Sequence, residues 1–276
     1  MYIDAHHHLW HFDSVEYDWI DESMSVLKRD FLVEELEKTL IINGFDASVV
    51  VQARQSLQET RWLVELAQST EVIKGVVGWI DLKSNDLPQL LDELSTCKKL
   101  VGFRHVIQGE SDPTFMENPD FIRGLSILAD RGYRYDLLIF AHQLPAAAKM
   151  LAQVPNLSVV IDHIAKPDIK TRIDFDKWQQ GMAQLASNPN CYCKLSGMVT
   201  EADWSSWNSA DFQPYMKTVW DLFGAKRIMF GSDWPVCLVA AHYHEVKQLV
   251  IDFIESHSPA AEGYVFGKNA KQFYQL

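Results

Sequence analysis

Three histidines, His6, His7 and His8, follow a short apolar start, Met1-Tyr2-Ile3. On a β-strand side chains alternate, so His6 and His8 share one face and His7 takes the other. Two imidazoles about 7 Å apart along a strand can converge on one cation or one carbonyl oxygen. Polar residues recur in the same kind of place, at the ends of apolar strand-like runs. They are Arg104-His105, His142, Asp162-His163 with Lys166 beyond, Lys194 with Ser196, and Asp233-Trp234-Pro235. His6, His8, His163 and Asp233 make a mixed nitrogen and oxygen set suited to one divalent ion, zinc or manganese. Asp233 has a second available role as general base, with a metal or the histidines polarising the electrophile. Adjacent strand residues face opposite ways, so Arg104 is the pocket residue of its pair, able to hold substrate oxygens by paired hydrogen bonds. His105 reaches substrate only if the strand end bends. Among the nine tryptophans, Trp10 and Trp79 are candidate platforms for a flat or sugar-like ligand, and most of the others are packing residues.

These side chains need a frame. Leu32, Leu36, Leu40 and Ile41 recur at helical spacing and stop at Asn43-Gly44; the nearly continuous apolar run Ala47 to Gln52 follows. Strand-like runs come again at 76–80, 100–107, 135–140, 158–163, 191–196 and 227–233, each after a helical pattern. Asn85 and Asn118-Pro119 are the expected openings of two of those helices. The segment from His11 to Asp30 has no clean period and reads as a loop with one short helix. Eight strands alternating with helices over 276 residues predict a single (β/α)₈ TIM barrel spanning 1–276, with catalytic groups at the carboxyl ends of its strands. No Gly-x-Gly-x-x-Gly follows the first strand and no Walker pattern is present, so nothing favours a nucleotide fold.

Composition narrows the classes further. The chain is 47% hydrophobic and 22% charged, enough for a large core, and its net charge of −12 argues against nucleic acid or an acidic membrane as partner. No apolar stretch approaches a membrane span and no basic-then-apolar leader opens the chain, so a cytoplasmic location is expected. Cys97, Cys191, Cys193 and Cys237 lack metal-binding or redox spacing and read as core thiols.

Asp4-Ala5-His6-His7-His8-Leu9-Trp10, Gly102-Phe103-Arg104-His105, Asp162-His163-Ile164-Ala165-Lys166-Pro167, Lys194-Leu195-Ser196-Gly197 and Phe230-Gly231-Ser232-Asp233-Trp234-Pro235 together resemble the amidohydrolase superfamily, and within it the sugar-lactonase branch. Val265 to Tyr274 is similar to that branch's closing helix. The resemblance runs nearly end to end. It implies a distorted barrel with His6, His8, His163 and Asp233 at its centre and Asp233 as general base and proton shuttle. Arg104, Lys166 and Lys194 would fall where relatives hold substrate oxygens or carboxylates. The bridging lysine of two-metal members has no counterpart on the fourth strand, which carries Arg104, so at most one ion is expected. The implied activity is ring opening of a sugar-derived lactone such as L-fuconolactone or L-rhamnonolactone, by a monomer or homodimer. Two rivals stand beside it: a decarboxylase or carboxylated-lactone hydrolase on the same scaffold, and a non-catalytic ligand-binding barrel.

Overall fold

Each apolar run expected as a strand is one in the computed structural model, which describes residues 1–276. The strands are β1 (Ile3–His7), β2 (Ala47–Val51), β3 (Ile73–Gly78), β4 (Leu100–Val106), β5 (Arg134–Leu138), β6 (Val159–Ile161), β7 (Cys191–Leu195) and β8 (Ile228–Phe230). They pair in sequence order and all in parallel. The helices are α1 (Val33–Ile42), α2 (Leu57–Ser69), α3 (Leu87–Leu94), α4 (Pro119–Asp130), α5 (Leu144–Gln153), α6 (Phe175–Ala186), α7 (Ser209–Phe223), α8 (Tyr243–His257) and α9 (Asn269–Tyr274). Buried apolar side chains of these helices and of the outward strand faces form the main core.

Helix openings follow local chemistry. Asn118 accepts the backbone N–H groups of Asp120 (2.9 Å) and Phe121 (3.3 Å), with Pro119 in the first helical position, as expected. Asn85 does not open α3: the helix starts after Asp86, with no side-chain cap. Between His11 and Asp30 only Glu22–Leu27 is helical, as 3₁₀ turns.

The distortion lies where the ring closes. β8 is short, and the gap to β1 is bridged beyond it, by Asp233 N–H to the His6 carbonyl (2.9 Å) and His8 N–H to the Trp234 carbonyl (2.7 Å). On β1, Asp4 pairs with Ser48 and His7 with Val50, so one extra residue is inserted between them. Such a bulge reverses the facing of the residues beyond it. Ile3 and Ala5 therefore point into the barrel and join an apolar floor with Val49, Val51, Val77, Val160 and Met229. His6 and His8 point into the same interior one level higher, while Asp4 turns outward to the Tyr243 hydroxyl of α8 (2.9 Å). Ala270, Phe273 and Tyr274 of α9 close the floor from below.

Candidate active site

Two glycines make room for the centre. A side chain at Gly231 would meet the His6 Cβ at 2.5 Å, and one at Gly197 would overlap the His163 ring. Ser232, between Gly231 and Asp233, donates from its backbone (2.9 Å) and its hydroxyl (2.6 Å) to the Asp4 carboxylate, and accepts from Trp234 N–H (3.0 Å). This lock presents Asp233 at a left-handed φ of +57°.

The other wall departs from the expected strand. β6 ends at Ile161, and His163, Ile164, Ala165 and Lys166 all take left-handed backbone, with φ from +47° to +60°. That conformation costs a non-glycine residue roughly 1–2 kcal/mol, and such strain gathers at functional sites. Trp178 holds the turn by donating to the Ile164 carbonyl (2.8 Å), and Ile164 and Ala165 are fully buried. The turn directs both His163 and Lys166 to the cavity.

His6, His8, His163 and Asp233 come together at the base of a cavity of about 660 Å³ at the carboxyl ends of the strands. His8 Nε2 lies 3.4 Å from Asp233 Oδ1, and the Nε2 atoms of His6 and His163 lie 3.8 Å from it. The far nitrogens are engaged: His8 Nδ1 with the Val51 carbonyl (2.8 Å), His163 Nδ1 with Ser196 Oγ (2.9 Å). When Nδ1–H donates to such a partner, Nε2 is left as a lone pair aimed at the centre. His6 and His8 Nε2 atoms are 3.2 Å apart. Two nitrogens on a tetrahedral zinc, at roughly 2.0–2.1 Å each, sit about 3.3 Å apart, which the His6–His8 pair matches. His6, His163 and Asp233 also turn ligand atoms within 4.8 Å of one another, so the donor types suit one divalent ion. Burial drives two of the imidazoles toward the neutral form, His6 far below its ordinary value and His163 to about 4. Burial alone would raise the Asp233 carboxyl, but the imidazoles of His163, His8 and His6 outweigh it and hold it well below the usual range.

The remaining expected residues separate. Arg104 enters the cavity, with Nη1 3.3 Å from His6 Nε2 and 3.1 Å from Asp162 Oδ2. His105 faces away, stacked on Phe115 and hydrogen-bonded to Glu110 (2.6 Å), because β4 keeps its alternation to the end. Lys166 lines the cavity and pairs with Glu201. Lys194 does not reach it: the side chain is fully buried beneath His6. Trp10 is also fully buried, donating to the Arg29 carbonyl (2.9 Å) and packed edge-on to Phe31. Trp79 packs beside His105, outside the cavity. The indoles at the cavity are Trp19 and Trp204, both placed in loops by the sequence but not singled out as platforms. Asp136, buried under the centre, was missed as well. Its signal was a lone carboxylate inside the apolar run Tyr135 to Phe140.

A closed parallel barrel with a histidine–aspartate centre at its carboxyl ends defines the class of barrel hydrolases. The chain belongs to the amidohydrolase family, whose model matches residues 3–276. It is 39% identical over 289 residues to an L-fucono-1,5-lactonase of Burkholderia multivorans, covering 99% of this chain and 96% of that one. A second L-fucono-1,5-lactonase, from Burkholderia ambifaria, is 34% identical, with 99% and 95% covered. A solved structure of a Burkholderia multivorans amidohydrolase with bound zinc is 38% identical and superposes with a TM-score of 0.95, over 100% of this chain and 99% of the other. No helix is long and apolar enough to cross a membrane.

Proposed function

We propose that the protein is a sugar-lactone hydrolase whose substrate is a neutral aldonolactone of the L-fuconolactone kind, opened by water that Asp233 deprotonates. The carrying observation is the convergence of three imidazole Nε2 atoms within 3.8 Å of Asp233 Oδ1 at the base of the cavity. Full-length likeness to two sugar lactonases supports the substrate class. Asp233 takes a proton from water as the water oxygen bonds to the lactone carbonyl carbon. The oxyanion forms beside the positively charged Arg104 guanidinium, which lines the cavity next to the imidazoles; one well-aimed donor in such a place lowers the barrier by roughly 3–4 kcal/mol. Collapse breaks the ring C–O bond, and Asp233 returns the proton to the departing alkoxide. The products are a hydroxy acid, ionised at neutral pH, and one released proton.

One divalent ion, zinc or manganese, fits His6, His8, His163 and Asp233, and when bound it would polarise the carbonyl and acidify water. The zinc-bound relative supports this reading. The cavity also bears on substrate charge. Arg54 pairs with Glu16, Arg104 with Asp162 and Lys166 with Glu201, while Asp18 and Asp233 add negative charge. No lining cation is left over for a substrate carboxylate, which argues against the carboxylated-lactone and decarboxylase readings. The complete centre argues against a ligand-binding barrel. Residues 1–276 would act as one catalytic unit, cytoplasmic, as a monomer or homodimer.

A pH-indicator assay across neutral 1,5- and 1,4-aldonolactones and carboxylated lactones, with metal content measured on the same sample, tests the proposal. Neutral lactones should exceed carboxylated ones at least ~100-fold in kcat/KM, the scale of leaving one buried charge unpaired. Equal or reversed preference would refute the assignment.

A further inference from the structure

Directly beneath the histidine centre lies a second group of cation ligands that the proposed reaction does not use. His6, Asp136 and Asp162 each turn one ligand atom to a common point within 4.8 Å of one another, all fully buried. The point is filled by the Lys194 side chain. Its Nζ pairs with Asp136 Oδ2 and lies 3.0 Å from Asp162 Oδ1 and 3.1 Å from His6 Nδ1. The ammonium lies against both carboxylates, and with His6 Nε2 kept as the lone pair its Nδ1–H is the donor turned to the same Asp162 Oδ1 (3.3 Å). The carboxylates are held from their other sides, Asp136 by the Tyr274 hydroxyl (2.9 Å) and Asp162 by Arg104 (3.1 Å). Two carboxylates and two cations therefore balance in a space that excludes water, where an unpaired charge would be strongly destabilising.

We infer that the Lys194 ammonium takes the place of a second metal ion in this barrel and is the positioning residue that holds His6 from behind. The inference is independent of which lactone is opened. The barrel interior retains a three-ligand cation site next to the upper centre. A covalently attached, singly charged occupant restricts the protein to one exchangeable ion, and the same ammonium holds the Asp162 carboxylate that faces His6 Nδ1, leaving Nε2 turned to His8 and Asp233. Lys194 touches no substrate, since its side chain is fully buried below the cavity.

The test is to count ions. Full-length parent and Lys194→Ala are saturated with zinc, dialysed, and assayed for zinc per chain, with melting followed with and without zinc. Lys194→Ala should retain one ion more per chain than the parent, and zinc should raise its melting temperature more. Adding Asp136→Asn should return the count to the parental value. A folded Lys194→Ala that holds no more zinc than the parent overturns the inference. If Lys194→Ala does not fold even with zinc, the charge-balanced pair Lys194→Met with Asp136→Asn decides. It should fold, bind zinc as the parent does, and lose 10–100-fold in kcat at near-parental KM, the usual cost of removing a partner behind a site histidine. A kcat within twofold of the parent overturns the inference. Loss of turnover on every lactone by the parent itself would instead count against the proposed function, leaving the zinc count to judge Lys194.

Discussion

At the scale of single residues the centre depends on what stands behind each imidazole. Ser196 Oγ meets His163 Nδ1 at 2.9 Å and also faces the His163 backbone N–H at 3.3 Å. Ser196→Ala removes both contacts without adding bulk. We expect activity or metal affinity to fall 10–100-fold, with a loss in stability near 1 kcal/mol. Steady-state kinetics and a denaturant melt on the same sample check this, and unchanged kinetics would show that His163 is held by the left-handed turn alone. His6, His8, His163 and Asp233 were legible because each sits at a strand end with ligand chemistry. The support beneath them was less so. Asp136 and Asp162 acquire meaning only when strands far apart in sequence bring Lys194 and Arg104 between them. Lys194 illustrates the limit: its motif suggested a substrate contact, and its depth in the barrel rules that out.

At the scale of elements, the loop after β2 and the segment 11–30 share one buried carboxylate. Glu59, on α2, accepts the backbone N–H groups of Ala53 (3.0 Å) and Arg54 (3.1 Å) and the Tyr17 hydroxyl (3.2 Å). Burial raises its carboxyl from 4.5 to about 7, against the pull of those donors and of Arg54. Between pH 4.5 and 7 the folded chain holds this proton more tightly than the unfolded chain, so stability from this group falls as pH rises and then levels off. Glu59→Gln removes the titration, and its melting temperature relative to the parent should rise between pH 5 and pH 8. A difference that is flat with pH would contradict the assignment. The elements themselves were largely legible, since buried parallel strands read as apolar runs and Asn118-Pro119 announces α4. Strict alternation, however, would set Asp4 on the face of His6, and the inserted residue on β1 reverses that. Nor did the apolar run through His163 announce four left-handed residues, which are held in place by contacts with Trp178 and Ser196 remote in sequence.

At the scale of the whole molecule the barrel is layered: α9 below, an apolar floor, the buried charges of Lys194, Asp136 and Asp162, the histidine centre, and the cavity. Phe273 belongs to the floor and packs against Tyr192 of β7, with ring centroids 4.9 Å apart. Phe273→Ala should destabilise the fold by about 3–5 kcal/mol, as large-to-small changes in cores do, and a chemical-denaturation midpoint will show it. A cost below about 1 kcal/mol would mean that α9 is an accessory rather than the closure of the barrel. The closing helix was visible in the sequence by its likeness to relatives. Its reach up to Asp136 through Tyr274 was not, because a hydrogen bond across 138 positions has no local signature.

The proposed reaction turns on Asp233 as the base, and its most direct measurement is the turnover of Asp233→Asn on the best neutral lactone. Asparagine keeps the size and much of the hydrogen bonding but cannot take the proton. In protein checked for fold and metal occupancy, kcat should fall at least ~100-fold while KM changes far less. A correctly folded, equally metal-loaded Asp233→Asn that keeps more than about a tenth of the parental rate would contradict the general-base role.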